Sequence, residues 1–281
     1  MNYRHIYHAG NFADIVKHIS LVAIINQLKQ KEKPFAVLDA FAGIGQYDLS
    51  AEESLKTGES DYGIKRLLRS LDTGFNHPKL LQLFLNIINI SSKSNLSTPR
   101  NIYPGSPMII KNLLRDKDRL IASELHKGDY HSLKRLMLGV KNANIHYMDG
   151  YKATKAFLPF KENRGLVFLD PPFEVTNEFD KLLNIMKMIK QRSRNISVLV
   201  WYPIKDLIAV QSFYNNYKII GFTESIIMEF KFNNSPTNMS RCGLLIANPP
   251  NVISELDENI SYIINNAYQL EAGLKFIPIV N

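Results

Sequence analysis

Four strand-length, mostly apolar runs each end on an acidic residue, and that repetition leaves few folds open to the chain. Phe35-Ala-Val-Leu38 runs into Asp39, Arg119–Ser123 into Glu124, residues 143–148 into Asp149, and Gly165–Leu169 into Asp170. Further strand-like runs cover 196–202, 217–230 and 242–247, and helical periodicity occupies 127–140, 151–158, 175–192 and 204–214. Such alternation predicts an α/β fold, a parallel sheet with helices on both faces. Ligands of these sheets gather at the C-terminal strand ends, so the four acids are expected to open on one edge. No helical pattern separates the last two runs, which predicts an antiparallel hairpin there.

Ahead of the first strand, Phe12, Ile15, Val16, Ile19, Val22 and Leu28 follow helical spacing, with Asn11 as the N-cap. On this pattern alone Lys17 and His18 are expected on a solvated helix face. The strand–helix rhythm lapses between the first strand and residue 119. Helix-like runs at 63–71 and 78–88 and a polar stretch at 91–100 fill that gap. Residues 53–102 are therefore read as a helical insertion within a single domain, 1–281, because roughly 50 residues make a poor independent core. Lys65, Arg66 and Arg69 could form a basic face there or simply a solvated helix surface.

Asp170-Pro-Pro-Phe173 carries the most specific chemistry. An acid, two prolines and an aromatic ring at a strand end suit methyl transfer to the exocyclic amine of a nucleobase. That amine attacks poorly unless oriented. A carboxylate can accept one of its hydrogens and the carbonyl of Pro171 the other, and prolines stiffen the loop without adding donors. Phe173 can stack on a base drawn out of its helix, worth about 1–3 kcal/mol. Such a tetrapeptide arises by chance about 0.01 times in a chain of this length, given the usual frequency of proline. Asn248-Pro-Pro-Asn251 also follows a strand-like run, but lacks the ring and is read as a structural turn.

Gly43 and Gly45 follow Asp39, and Asp48 stands where a dinucleotide fingerprint would have its third glycine. The loop therefore fits the amino-acid moiety of S-adenosylmethionine better than a nicotinamide or flavin dinucleotide. Glu124 is placed for ribose hydroxyls and Asp149 for an adenine amino group. Composition narrows the partner: a formal charge of +8 and a pI near 9.3 favour a polyanion such as nucleic acid. One cysteine, Cys242, excludes an intramolecular disulfide, and no zinc spacing is present. No apolar run reaches membrane length and no signal core precedes the first helix, so a cytoplasmic protein is expected.

Taken together, Tyr3-Arg-His5, His8-Ala-Gly-Asn11, Ala13-Asp14, Lys17-His18, Leu38-Asp39, Ala42-Gly43 with Gly45, Tyr103-Pro-Gly-Ser-Pro107, Glu124-Leu-His126, Asp149-Gly150, Asp170-Pro-Pro172, Trp201-Tyr-Pro203 and Asn248-Pro-Pro250 span nearly the whole chain. They resemble the bacterial 23S ribosomal RNA (adenine(2030)-N6)-methyltransferase family. The resemblance implies a Rossmann-like class I methyltransferase fold with a helical insertion, and S-adenosyl-L-methionine as cofactor. It implies cofactor contacts from His18, Ser106, Glu124, Asp149 and Gly150, with Phe41, Gly43 and Gly45 in the same loop region, and Asp170 as catalytic acceptor. Tyr3, His5 and Lys17 would serve the RNA. Phe41 stands where the family commonly has histidine, and Phe173 where tyrosine is usual. A monomer acting on naked 23S RNA or an early assembly intermediate is expected. The competing readings are methylation of adenine in DNA or of protein glutamine, and a non-catalytic RNA-binding assembly factor.

Overall fold

A computed structural model describes residues 4–71, 77–92, 101–232, 240–268 and 272–280. Its centre is an eight-stranded sheet. The strands are β1 (Ala36–Asp39), β4 (Arg119–Glu124), β5 (Ala143–Tyr147), β6 (Gly165–Leu169), β7 (Ile196–Pro203), β8 (Glu224–Phe232), β9 (Arg241–Ala247) and β10 (Ala272–Val280), and β2 (Gln46–Asp48) with β3 (Ile102–Pro104) forms a separate small pair. The order is β10-β8-β9-β7-β6-β1-β4-β5. β5, β4, β1, β6 and β7 run parallel, whereas β9, β8 and β10 pair antiparallel. From β1 the chain moves outward to β4 and β5, then returns to lay β6 and β7 on the other side. The switch point between the two directions lies beside β1, where such sheets form their ligand crevice.

Period-two alternation along the central strands supplies both faces of the sheet. Val37, Leu120, Ala122, Leu166 and Phe168 join one core, and Leu38, Ile121, Val167 and Leu169 join the other. The first core is covered by α1 (Phe12–Lys29), α4 (Ile64–Ser70), α5 (Lys79–Ser92), α6 (Ser106–Leu113) and α7 (Lys127–Leu136), while α2 (Glu52–Thr57) packs on the N-terminal turn and α3 (Glu59–Tyr62) on α4. The second lies under α8 (Gly150–Phe157), α9 (Glu178–Arg192) and α10 (Leu207–Ile220). α11 (Ile253–Ile263) returns to the first face and packs on α1 and α5.

α1 is apolar nearly all round because α5, α6 and α11 cover what the sheet does not. Its burial overturns the solvated-face reading of Lys17 and His18, which are 3% and 2% exposed. A second correction concerns 217–230. Residues 217–220 finish α10, which Gly221 ends at φ 76°, and β8 begins only at Glu224. Three further elements are α6, α11 and the edge strand β10. Between β1 and β4, Lys65 pairs with Asp61 at 3.1 Å, Arg66 Nε donates to the Ala267 carbonyl, and Arg69 donates to the Asp61 carbonyl. Arg66 is thus tied to a distant part of the chain, while Arg69 lies exposed on the helix surface.

Candidate active site

The four strand-terminal acids do converge on one edge of the sheet. A cavity of about 250 Å³ opens there, lined by Glu124, Asp149 and Asp170, with Asp39 directly behind Ala40. The N-terminal turn and α1 roof it with His5, Lys17 and His18. Phe41, Gly43, Ser106, Gly150 and Pro171 also face it. Gly45 and Phe173 do not line it, and Tyr3 lies outside the described residues.

Around Asp170 the geometry is set by charge. Lys17 Nζ lies 2.5 Å from Asp170 Oδ2 and 2.8 Å from Asp14 Oδ1. Burial disfavours the Lys17 ammonium, but Asp14 and Asp170 outweigh it and hold the group protonated well beyond the usual lysine range. Lys17 also lies over the Trp201 ring, 5.4 Å from its centroid. Phe173 adopts φ 51°, and its ring packs edge-on against Phe179 and Trp201 at 5.2 and 6.1 Å.

On the opposite wall, Glu124 accepts the Gly43 N–H at 2.8 Å through one oxygen and the His126 N–H at 2.6 Å through the other. Burial nevertheless leaves its carboxyl raised. Asp149 caps α8, accepting the Lys152 N–H at 2.9 Å. Gly150 is required by space: a Cβ there would stand 2.3 Å from the Ala40 carbonyl and 2.8 Å from the Phe41 ring. Gly43 turns at φ 63°, and a Cβ would fall 2.4 Å from the Tyr47 hydroxyl. Gly45 shapes the loop from behind, its carbonyl accepting the Gly105 N–H at 2.8 Å. His18 stacks on Tyr103, with Nδ1 2.8 Å from the hydroxyl, and burial lowers its ring to about 3, so it is neutral. Asp39 is wholly buried and neither carboxylate oxygen has a hydrogen-bond partner of ordinary geometry.

Several lining or supporting residues had no sequence signal of their own. Asp14 reads as a helix first-turn acid, and Tyr47 belongs to a three-residue strand too short to see. Tyr151, Glu178 and Lys181 form a cluster on the wall, Tyr151 donating to Glu178 at 2.6 Å with Lys181 3.6 Å from the same carboxylate. Their helices were visible, but which face meets the cavity is set by tertiary packing. Asn248-Pro-Pro250 sits at the other end of the sheet, because β9 runs against β7 and brings Ala247 opposite Val198. Asn248 there accepts from Ser197 Oγ and donates to the Ile196 carbonyl, as a structural turn does.

The family model for ribosomal RNA large subunit methyltransferase D, RlmJ, matches residues 32–275. Two proteins described as ribosomal RNA large subunit methyltransferase J are similar along most of their length. The one from Haemophilus influenzae is 32% identical over 94% of this chain and 92% of its own. The one from Escherichia coli is 32% identical over 92% of this chain and 91% of its own. The crystal structure of protein LPL1258 from Legionella pneumophila, 31% identical, superposes with a TM-score of 0.85 over 96% of this chain and 98% of that one.

Proposed function

The chain belongs to the RlmJ family of large-subunit ribosomal RNA methyltransferases, and on that premise we propose that it methylates N6 of one adenine in 23S ribosomal RNA, adenine 2030 by family likeness. The observation that carries this reading is the Asp170 carboxylate, held by Lys17 at the cavity with Pro171 next to it. Asp170 and the Pro171 carbonyl would each accept one hydrogen of the adenine amine, turning its lone pair toward the methyl donor. Positioning of that kind supplies much of the rate enhancement in a displacement of this type. Asp170 need not be a strong base, since the nitrogen becomes acidic once methylated. Stacking of Phe173 on the base would require its ring to turn from Phe179 and Trp201.

The residues at the other wall fit S-adenosyl-L-methionine, which supplies an electrophilic methyl group when bound. The unpartnered, buried Asp39 carboxylate suits a cationic ligand. Glu124 would meet the ribose hydroxyls and Asp149 the adenine amine, with Phe41, Gly43, Ser106 and Gly150 shaping the pocket and neutral His18 offering a ring nitrogen. His5, Lys17 and Tyr3 would serve the RNA side. We take residues 53–102 as a helical insertion in a single methyltransferase domain. A cytoplasmic monomer acting on naked RNA or an early assembly intermediate suits this reading, and no helix among the described residues is long and apolar enough to cross a membrane.

Asp170→Ala, assayed with labelled methyl donor on unmodified 23S RNA, is expected to lose at least a hundredfold in rate. Near-parental methylation would sink the assignment. Competition by duplex DNA or by a glutamine-containing peptide separates the RNA substrate from the alternatives. Labelling of either in preference to RNA would redirect it.

A further inference from the structure

Asp14 lies just beyond the cavity wall, yet its carboxylate is committed on both sides. Oδ2 accepts the Gly10 N–H at 2.8 Å and lies 3.0 Å from His5 Nε2, while Oδ1 lies 2.8 Å from Lys17 Nζ. Its own N–H donates to Asn11 Oδ1 at 2.9 Å. Such a carboxylate cannot rotate without losing a partner on each side. Capping of α1 needs only Oδ2. The pairing of Oδ1 with a lysine that continues to the loop after β6 is not something a helix cap requires.

Lys17 is faced by Asp14, His5 and His18 from the N-terminal turn and α1, by Asp39 from β1, by Asp170, and by Trp201 and Cys242 from β7 and β9. At 4% exposure its side chain has little water to hold its charge. Asp14 sits three residues away on the same helix as Lys17, so the two share one rigid element, whereas Asp170 stands on the loop after β6.

Resting on the reading of Asp170 as the amine acceptor, we propose that Asp14 is the positioning residue of that carboxylate. Acting through Lys17, it holds Asp170 Oδ2 in place and so commits Oδ1 to the substrate amine. Asp14 touches neither substrate nor cofactor in this arrangement. Its influence passes through a buried ammonium.

The test uses the full chain on unmodified 23S RNA, with Asp170→Ala run alongside. Activity in Asp170→Ala would overturn the underlying reading whatever Asp14 does. Asp14→Asn keeps the shape and an acceptor for Gly10 but withdraws the charge. Its kcat is expected to fall about a hundredfold, the scale of a misplaced catalytic group, with KM for RNA and cofactor affinity within about threefold of the parent. In the parent kcat should stay flat up to about pH 10, whereas in Asp14→Asn it should fall over the alkaline range, because the buried Lys17 has lost one of its two carboxylate partners and gives up its proton sooner. Asp14→Glu restores the charge at a displaced position. It should restore the flat alkaline profile while kcat stays lowered about tenfold. A kcat loss with a flat alkaline profile in Asp14→Asn overturns the proposal, as does a parental kcat in either variant. If Asp14→Asn yields no folded protein, Asp14→Glu decides alone: a parental kcat overturns the proposal, and a lowered kcat at parental melting temperature upholds it.

Discussion

Asp39 has both carboxylate oxygens buried without a hydrogen bond of ordinary geometry, and burial pushes its carboxyl up from 3.8 to about 7, with the Ser106 hydroxyl and Phe41 N–H pulling less strongly the other way. Between those two values the folded chain holds a proton that the unfolded chain has lost. The stability this confers is complete below about 3.8 and is lost as pH rises to about 7. A cationic ligand beside Asp39 favours the carboxylate, so its binding should release a proton and tighten as pH rises toward 7. Calorimetry of S-adenosylmethionine binding at pH 6, in buffers of different ionisation enthalpy, should show that release in the parent and not in Asp39→Asn. Equal release in both would exclude Asp39 as the responding group. The strand-terminal acids of this site were legible because a hydrophobic run ending on an acid is a local pattern. Lys17 and His18 came only through the family resemblance, because on a helix buried all round no periodicity separates a cation facing a cavity from one facing water.

α3 and the start of α4 brace the N-terminal turn that reaches the site. Glu59 of α3 takes His8 Nδ1 at 2.9 Å and accepts from Asn11 Nδ2 at 2.9 Å, and Ile64 N donates to the Gly10 carbonyl at 2.8 Å. That turn carries His5 and leads into Asp14 and Lys17. Gly63 closes the joint so tightly that a Cβ would stand 2.0 Å from the Gly10 carbonyl. Gly63→Ala should therefore cost about 1–3 kcal/mol of stability, the usual range for overpacking, and lower methylation, with cofactor affinity within about threefold. Gly273→Ala, where a Cβ meets nothing within 4 Å, is the neutral control. Thermal melts and single-turnover rates check both, and a parental melt for Gly63→Ala would show that the joint yields. At this scale α1 and β4 to β7 were readable to within a few residues. The end of α10 was not, since Tyr217, Ile219 and Ile220 favour strands while packing and Gly221 finish the helix. Among the described residues β10 pairs only with β8 at the sheet edge, where Pro278 is tolerated and the alternation that marks a strand is weak.

The net charge of +8 acts over the whole surface, whereas the Asp14–Lys17–Asp170 chain is shielded from salt by burial. RNA affinity should therefore fall steeply with ionic strength, by about fiftyfold from 50 to 200 mM for roughly four phosphate contacts. Over the same range the single-turnover rate at saturating RNA should change less than about twofold. Filter binding and quench experiments measure the two separately, and a salt-independent affinity would argue against a phosphate-led encounter. The overall class was legible because strand–helix alternation is a global pattern, while the direction of the last strands was only partly so. That direction decides what a Pro-Pro turn can become. β9 runs opposite to β6, so Asn248-Pro-Pro-Asn251 emerges at the far rim, away from every group that makes Asp170 useful. Rewriting residues 248–251 as Asp-Pro-Pro-Phe would yield a chain with two copies of the motif and a single reactive pocket. For anyone transplanting such loops between scaffolds, the polarity of the strand that delivers them is the first thing to match.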